Sequence, residues 1–376
     1  MTLTSFQGIG SLLVEANRPF LCHPSAARNV SPIRPGHTTC GLTHRSSGEP
    51  TAGHQARSVV RRIFHSPGLA SRRWLPLSSN VWPHMTRRSL WRVAKELNAD
   101  GRLALFIGAG VSIGCGLPGW AELVSRVLTA TWRDQPDLAA LLLRDKNILA
   151  ARYARQKAGA KFNRIVHGAL YQDDIELSRC VWAIARSGVR QICTFNFDDL
   201  LAEALLTEGR DCVIATPDEP FQTTHEGSTV YHPHGILPRL YRDGELDAAK
   251  IVFSEDDYHN LYSDPYSWAN IAQLSLLTSK SVLFIGLSMQ DPNLRRLIDI
   301  ARGRGFTNQH FAVFRDPTAR CLPTHLEEYK RLRKLIEIDM KSLGITTWFV
   351  DSYEKVAEII ETIAVKSTSN LSTNAA

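Results

Sequence analysis

An α/β fold, a parallel sheet with helices on both faces, is predicted by three observations. Short apolar segments alternate with amphipathic ones from Met85 onward, the pattern of strands joined by crossover helices. Two apolar segments, residues 103–107 and 281–286, are hydrophobic nearly throughout, as buried strands of a parallel sheet are. Each runs straight into a glycine turn followed by a helical stretch, at Gly108-Ala109-Gly110 and at Gly286-Leu287-Ser288. This is the Rossmann-like succession of strand, tight turn and helix.

The remaining elements follow in order. Residues 87–97 read as an opening helix before the strand at 103–107. Helical spacing over 121–132, 138–156, 161–170 and 175–187 makes a helical insertion before the next strand, 190–194. A helix over 199–207 precedes short strands at 213–215, 230–232 and 251–253. A helix over 268–278 leads into the strand at 281–286, then a helix over 293–302 and a strand at 310–314. A long helix over 326–343, a strand at 346–350 and a helix over 353–365 complete a folded part spanning 85–366. The polar tail 367–376 is expected to fray.

Composition narrows the classes. The 376 residues are 44% hydrophobic and 22% charged, ordinary for a globular chain with one large domain or two small ones. No apolar run approaches the ~18 residues of a membrane span. The net charge of +7 belongs to residues 1–84, which hold nine arginines, no lysine and two acids, while the rest balances 35 bases against 35 acids. A neutral body offers no electrostatic case for nucleic-acid binding. Residues 1–84, Arg- and Ser-rich without periodicity, read as a disordered leader, as sequence upstream of a true start at Met85, or as a transit peptide. None of the seven cysteines stands in a C-x-x-C pair, which argues against structural zinc and against a disulfide scaffold. Scattered cysteines fit a reducing, cytoplasmic compartment.

Four strand-end segments carry candidate chemistry. The turn Gly108-Ala109-Gly110-Val111-Ser112 lets a backbone approach a pyrophosphate closely and aims a helix N-terminus at it. Ile113 stands where the full dinucleotide fingerprint has its third glycine, so the turn could equally serve packing. Thr194-Phe195-Asn196-Phe197-Asp198 ends a strand and projects an amide and a carboxylate to one side, or else caps the following helix. Histidine 234, before Gly235, is placed to act as a general base near neutral pH, with His232 the better structural candidate. The segment from Gly286 to Asp291 offers Ser288 for ribose or phosphate contacts, whereas Asp291 before Pro292 makes a good helix cap.

In order, G-A-G-x-S, L-P-x-W, T-x-N-x-D, H-G, V-F-S-E and G-x-S-x-x-D resemble the sirtuin-like family over residues 103–303. The resemblance implies NAD as the bound dinucleotide and substrate. Gly108, Ala109, Gly110, Ser112, Thr194, Gly286 and Ser288 would line it, and His234, Asn196 and Asp198 would be catalytic. The chain departs from deacetylating sirtuins in three places. Only sixteen residues, none a cysteine, separate Gly235 from Val252, where those enzymes carry a zinc module. Gly116-Leu117-Pro118-Gly119-Trp120 replaces the G-I-P-D-F-R run, and Phe195 stands where many have glutamine. The chain thus resembles the zinc-less bacterial branch, which includes NAD hydrolases of anti-phage defence activated by a partner or by assembly. That implies cleavage of the nicotinamide–ribose bond without a metal. It leaves open a homo-oligomer, an ATPase or recognition subunit as partner, and cyclisation or ADP-ribosyl transfer as outcomes. A protein deacylase and a non-catalytic nucleotide sensor or scaffold are the competing readings.

Because residues 1–84 lack periodicity and hold all the excess charge, a chain beginning at Met85 should melt as the full chain does. A large fall in melting temperature would show that the leader packs on the domain.

Overall fold

The computed structural model describes residues 87–144, 147–172, 174–219, 227–242, 244–305 and 308–365; the expected leader over 1–84, the Met85 start and the tail over 367–376 lie outside the described residues. The chain opens with α1 (Arg87–Ala99), β1 (Leu103–Ile107) and the single turn α2 (Ala109–Ser112). The helical insertion comprises α3 (Trp120–Thr131), α4 (Pro136–Leu142), α5 (Asn147–Ala158), α6 (Phe162–Leu170) and α7 (Arg179–Arg186). Then come β2 (Gln191–Thr194), α8 (Leu200–Thr207), β3 (Cys212–Ala215), β4 (Ser228–Tyr231), α9 (Glu245–Ala248), α10 (Glu255–Ser263) and α11 (Trp268–Ser279). The second half closes with β5 (Ser281–Ile285), α12 (Pro292–Gly303), β6 (His310–Arg315), α13 (Leu326–Ser342), β7 (Ile345–Val350) and α14 (Glu354–Ile363).

All seven strands are parallel, in the order β3-β4-β2-β1-β5-β6-β7. The expected Rossmann-like α/β class is the one observed. Side chains alternate across a strand, and this period splits β1 between two cores. Leu103, Leu105 and Ile107 enter a layer with Leu283, Ile285 and the helices α1, α3, α7 and α14. Ala104 and Phe106 enter the opposite layer with Val282, Phe284 and residues of α11 to α13. Both faces of β1 and β5 are therefore apolar and buried, which is why these strands read as unbroken hydrophobic runs.

The strand order turns back at β1: β2 lies on one side and β5 on the other. Loops leaving β1 and β5 diverge there, and open parallel sheets bind ligands at such a switch point. Here the two loops touch backbone to backbone. The Gly108 amide donates to the Ile285 carbonyl and the Gly110 amide to the Gly286 carbonyl, both at 3.0 Å. A Cβ on Gly110 would stand 2.7 Å from the Gly286 Cα.

Three expected elements differ. The helix over 138–156 is two helices: α4 ends at Leu142 and the chain turns at Leu143 and Arg144. The helix over 175–187 begins only at Arg179, where Ser178 accepts the Val181 amide, while the Glu176 and Ser178 amides donate to Cys115. Residues 251–253 are not a strand. The Val252 amide donates to the His234 carbonyl at 2.9 Å and the Phe253 amide to Asp257 Oδ2 at 3.0 Å, so neither is available to a sheet neighbour. The helix α10, which the sequence reading passed over, starts from a reciprocal cap between Ser254 and Asp257.

The glycine contact yields a test. Gly286 has φ +65° and a Cβ there would meet the Val111 amide nitrogen at 2.7 Å. Gly286→Ala should cost at least ~1–2 kcal/mol through the left-handed backbone alone. Gly168 is an exposed glycine within α6 with open space where its Cβ would go, and Gly168→Ala should stabilise by roughly 0.5–1 kcal/mol. Denaturant titration checks both; equal midpoints for the two variants would refute the assignment.

Candidate active site

The candidate residues gather at the carboxyl ends of β1, β2, β4 and β5, in two groups. The first is a buried chain of polar side chains reaching from α2 to the loop after β2. Asn196 Nδ2 donates to Ser112 Oγ at 2.9 Å and to the Gly108 carbonyl at 3.2 Å, and Ser112 Oγ donates to Asp198 Oδ2 at 2.8 Å. Asp198 Oδ1 accepts the Leu200 amide at 3.3 Å, and Thr194 Oγ1 accepts the Asn196 amide at 3.2 Å. With its Nδ2 held twice, Asn196 has one orientation and its Oδ1 is the atom left to meet a ligand. Asp198 spends both oxygens inside the fold, one on Ser112 and one on the start of α8. Burial raises its carboxyl to about 6, against the hydrogen bonds from Ser112 and Leu200, which lower it.

The second group surrounds His234. Its ring is buried, with Phe195 edge-on at 5.0 Å and Tyr258 edge-on at 5.8 Å. Its Nε2 lies 3.5 Å from Asp291 Oδ2 and makes no hydrogen bond among the described residues. Asp291 Oδ2 accepts the Tyr258 hydroxyl at 2.7 Å, and its Oδ1 caps α12 by accepting the Leu294 amide at 2.6 Å. Burial pushes His234 below the ordinary histidine pKa, and the Asp291 and Asp257 carboxylates oppose that shift. The next residue is pinned as well: Gly235 has φ +83°, and a Cβ there would lie 2.0 Å from the Lys250 carbonyl oxygen.

His232 is set apart from this arrangement. Its Nδ1 lies 3.2 Å from the Asn196 carbonyl and its own amide donates to Ala215, while burial drives its pKa down to about 4. It supports the Asn196 loop from beneath. Aromatic rings join the segments that flank the two groups. Phe253 packs against Trp120 at 4.8 Å, Phe162 at 5.5 Å and Phe197 at 5.8 Å. The L-P-x-W, T-x-N-x-D and V-F-S-E segments thus meet on one side chain.

The glycine turn packs on the end of β5 and the loop after it. The Gly108 and Gly110 amides are engaged by the β5 loop rather than pointing at a ligand; Ala109 is half-buried and Ser288 exposed. Sequence reasoning missed Tyr258, whose signal lay in the Ser254-x-x-Asp257 cap that starts a helix beside the H-G loop. It also read Asp291 only as a cap. Among the described residues, no group of three His, Cys, Asp or Glu side chains is placed to hold a metal ion, and no helix is long and apolar enough to cross a membrane.

The SIR2-like domain family matches residues 190–337, from β2 into α13. The chain is 23% identical over 296 residues to the NAD(+) hydrolase ThsA of Enterococcus faecium, covering 75% of this chain and 59% of that protein. It is 26% identical over 275 residues to the NAD(+) hydrolase ThsA of Bacillus cereus (strain MSX-D12), covering 69% and 53%. It is 22% identical over 207 residues to the Defense-associated sirtuin 2 of Bacillus subtilis, covering 55% and 20%. The chain spans somewhat over half the length of the two hydrolases and a fifth of the third relative.

Burial of Asp198 makes a pH-dependent prediction. A carboxyl raised by folding favours the protonated form, so its stabilising contribution is complete below the ordinary carboxylate pKa and is lost as pH rises through about 6. Asp198→Asn, with no charge to bury, should match the wild type near pH 4 and exceed it at pH 7 by at most ~3 kcal/mol. Melting temperatures at the two pH values check this. An equal loss at both would mean that the carboxylate's acceptor geometry outweighs its burial cost.

Proposed function

We propose that the chain cleaves the nicotinamide–ribose bond of NAD, and that it does so in defence against phage. The observation that carries the reading is a fully buried histidine whose Nε2 has no hydrogen-bond partner among the described residues, at the same sheet edge as an amide held in one orientation. Similarity to proteins named NAD(+) hydrolase and defense-associated sirtuin supports it. A buried polar atom left unpaired costs free energy, and a site that keeps one is arranged for a ligand to satisfy it.

In this reading the C1′–N bond breaks and its electron pair stays with the departing nicotinamide, which leaves neutral. The pyridinium needs little acid assistance. Water adds to the ribosyl cation, and His234, neutral at pH 7 because burial lowers its pKa, accepts the proton released. Asn196 Oδ1 orients that water or a ribose hydroxyl. Asp198 holds Ser112, and through it Asn196. Ala109, Ser112, Gly286 and Ser288 border the dinucleotide, with Gly108, Gly110 and Thr194 shaping the loops that hold it. No step needs a metal. Activation by self-assembly or by an ATPase or recognition subunit belongs to the same proposal. So does a cytoplasmic setting, which the free cysteines Cys115, Cys180 and Cys193 fit.

The test is chromatography of NAD, nicotinamide, ADP-ribose and cyclic product over time, beside calorimetry of NAD binding. His234→Ala and Asn196→Ala should each lower turnover by ~10²–10⁴-fold in chains that still fold. Nicotinamide release only with an acetyl-lysine peptide would favour a deacylase instead. Cleavage that survives both substitutions would overturn the residue roles, and failure to bind NAD would overturn the reading.

A further inference from the structure

We infer that Asp291, held by Tyr258, is the positioning residue for His234: its carboxylate offsets the charge that the imidazole acquires when it accepts a proton. The inference rests on His234 being the base of the proposed reaction. Its ground is geometric. Asp291 Oδ2 stands 3.5 Å from His234 Nε2 and accepts the Tyr258 hydroxyl at 2.7 Å, while Oδ1 is fixed by the Leu294 amide. The carboxylate is therefore clamped on both oxygens before the histidine uses it. A protonated ring at that distance faces a fixed negative charge in a site largely screened from water.

The groups that bear on the ring come from three elements. The start of α12 supplies Asp291, α10 supplies Asp257 and Tyr258, and the loop after β2 presents the uncharged Phe195. Asp257 is occupied elsewhere. Its Oδ2 accepts the Phe253 and Ser254 amides and pairs with Arg155 at 2.7 Å. Asp291 is thus the carboxylate placed to answer a charge on His234. Burial alone would make the imidazole a weak base, and Asp291 restores part of its basicity without leaving the ring charged at rest. Tyr258 donates a hydrogen bond to the carboxylate and fixes its Oδ2 beside the ring.

Asp291→Asn keeps a side chain able to cap α12 and removes the charge. Tyr258→Phe keeps the ring and removes the clamp. The experiment measures kcat and KM for NAD across pH in the full chain for wild type, both variants and His234→Ala, and follows the His234 ring by NMR titration. Asp291→Asn should lower kcat by ~10-fold or more with little change in KM, move the acid limb of kcat/KM to lower pH, and lower the titration midpoint of the His234 ring. Tyr258→Phe should shift all three in the same direction by less. An unchanged acid limb and ring midpoint in Asp291→Asn, with His234→Ala inactive, would overturn the positioning role alone. Should Asp291→Asn fail to fold, an unshifted midpoint in a folded Tyr258→Phe would overturn it. Full activity in His234→Ala would instead overturn the reading on which the inference rests.

Discussion

Gly108, Gly110 and Gly286 bring the loops after β1 and β5 into backbone contact, with no side chain between them. Much of the candidate site depends on that contact. The Gly108 carbonyl, fixed by it, accepts one of the two hydrogen bonds that orient Asn196. Ser112, one turn along α2, accepts the other and donates its own hydrogen bond to Asp198. A methyl group at any of the three glycines would drive the loops apart, and the amide would lose its reference. Between the two loops the glycines act through packing.

The site is also a dry one. His232, His234 and Asp198 are all buried, and burial shifts each toward its neutral form. The fold tolerates this because most of the polar atoms are paired internally: Ser112 with Asp198, Asn196 with Gly108, His232 with the Asn196 carbonyl. His234 Nε2 is the exception in this cluster. Low polarity strengthens whatever charge interaction forms there, which gives the nearby carboxylate of Asp291 its influence.

Most strands and helices were legible because they obey local rules. β1 and β5 sit in the middle of the sheet, so their apolar runs stand out, and α12 is announced by Asp291-Pro292. The misreadings share a cause. Residues 251–253 look like a strand, being apolar and β-branched in part, yet their amides are claimed by His234 and Asp257, which are distant or beyond the segment. Residues before Arg179 look helical, yet Cys115, more than sixty positions earlier, holds their backbone. Local pattern does not register a hydrogen bond supplied from elsewhere in the chain.

The sequence by itself determined the sheet class, the strand-end position of Asn196, Asp198 and His234, and the lack of a cysteine-rich module between Gly235 and Val252. These follow from periodicity, turn chemistry and residue count, each confined to a short window. Tertiary structure alone decided that Asn196, Ser112 and Asp198 form one hydrogen-bonded chain, that His232 lies beneath it, and that Tyr258 and Asp291 close around His234. The partners in these contacts come from separate strands and helices. Their meeting is set by the order in which parallel strands lie side by side, and no short stretch of sequence states that order.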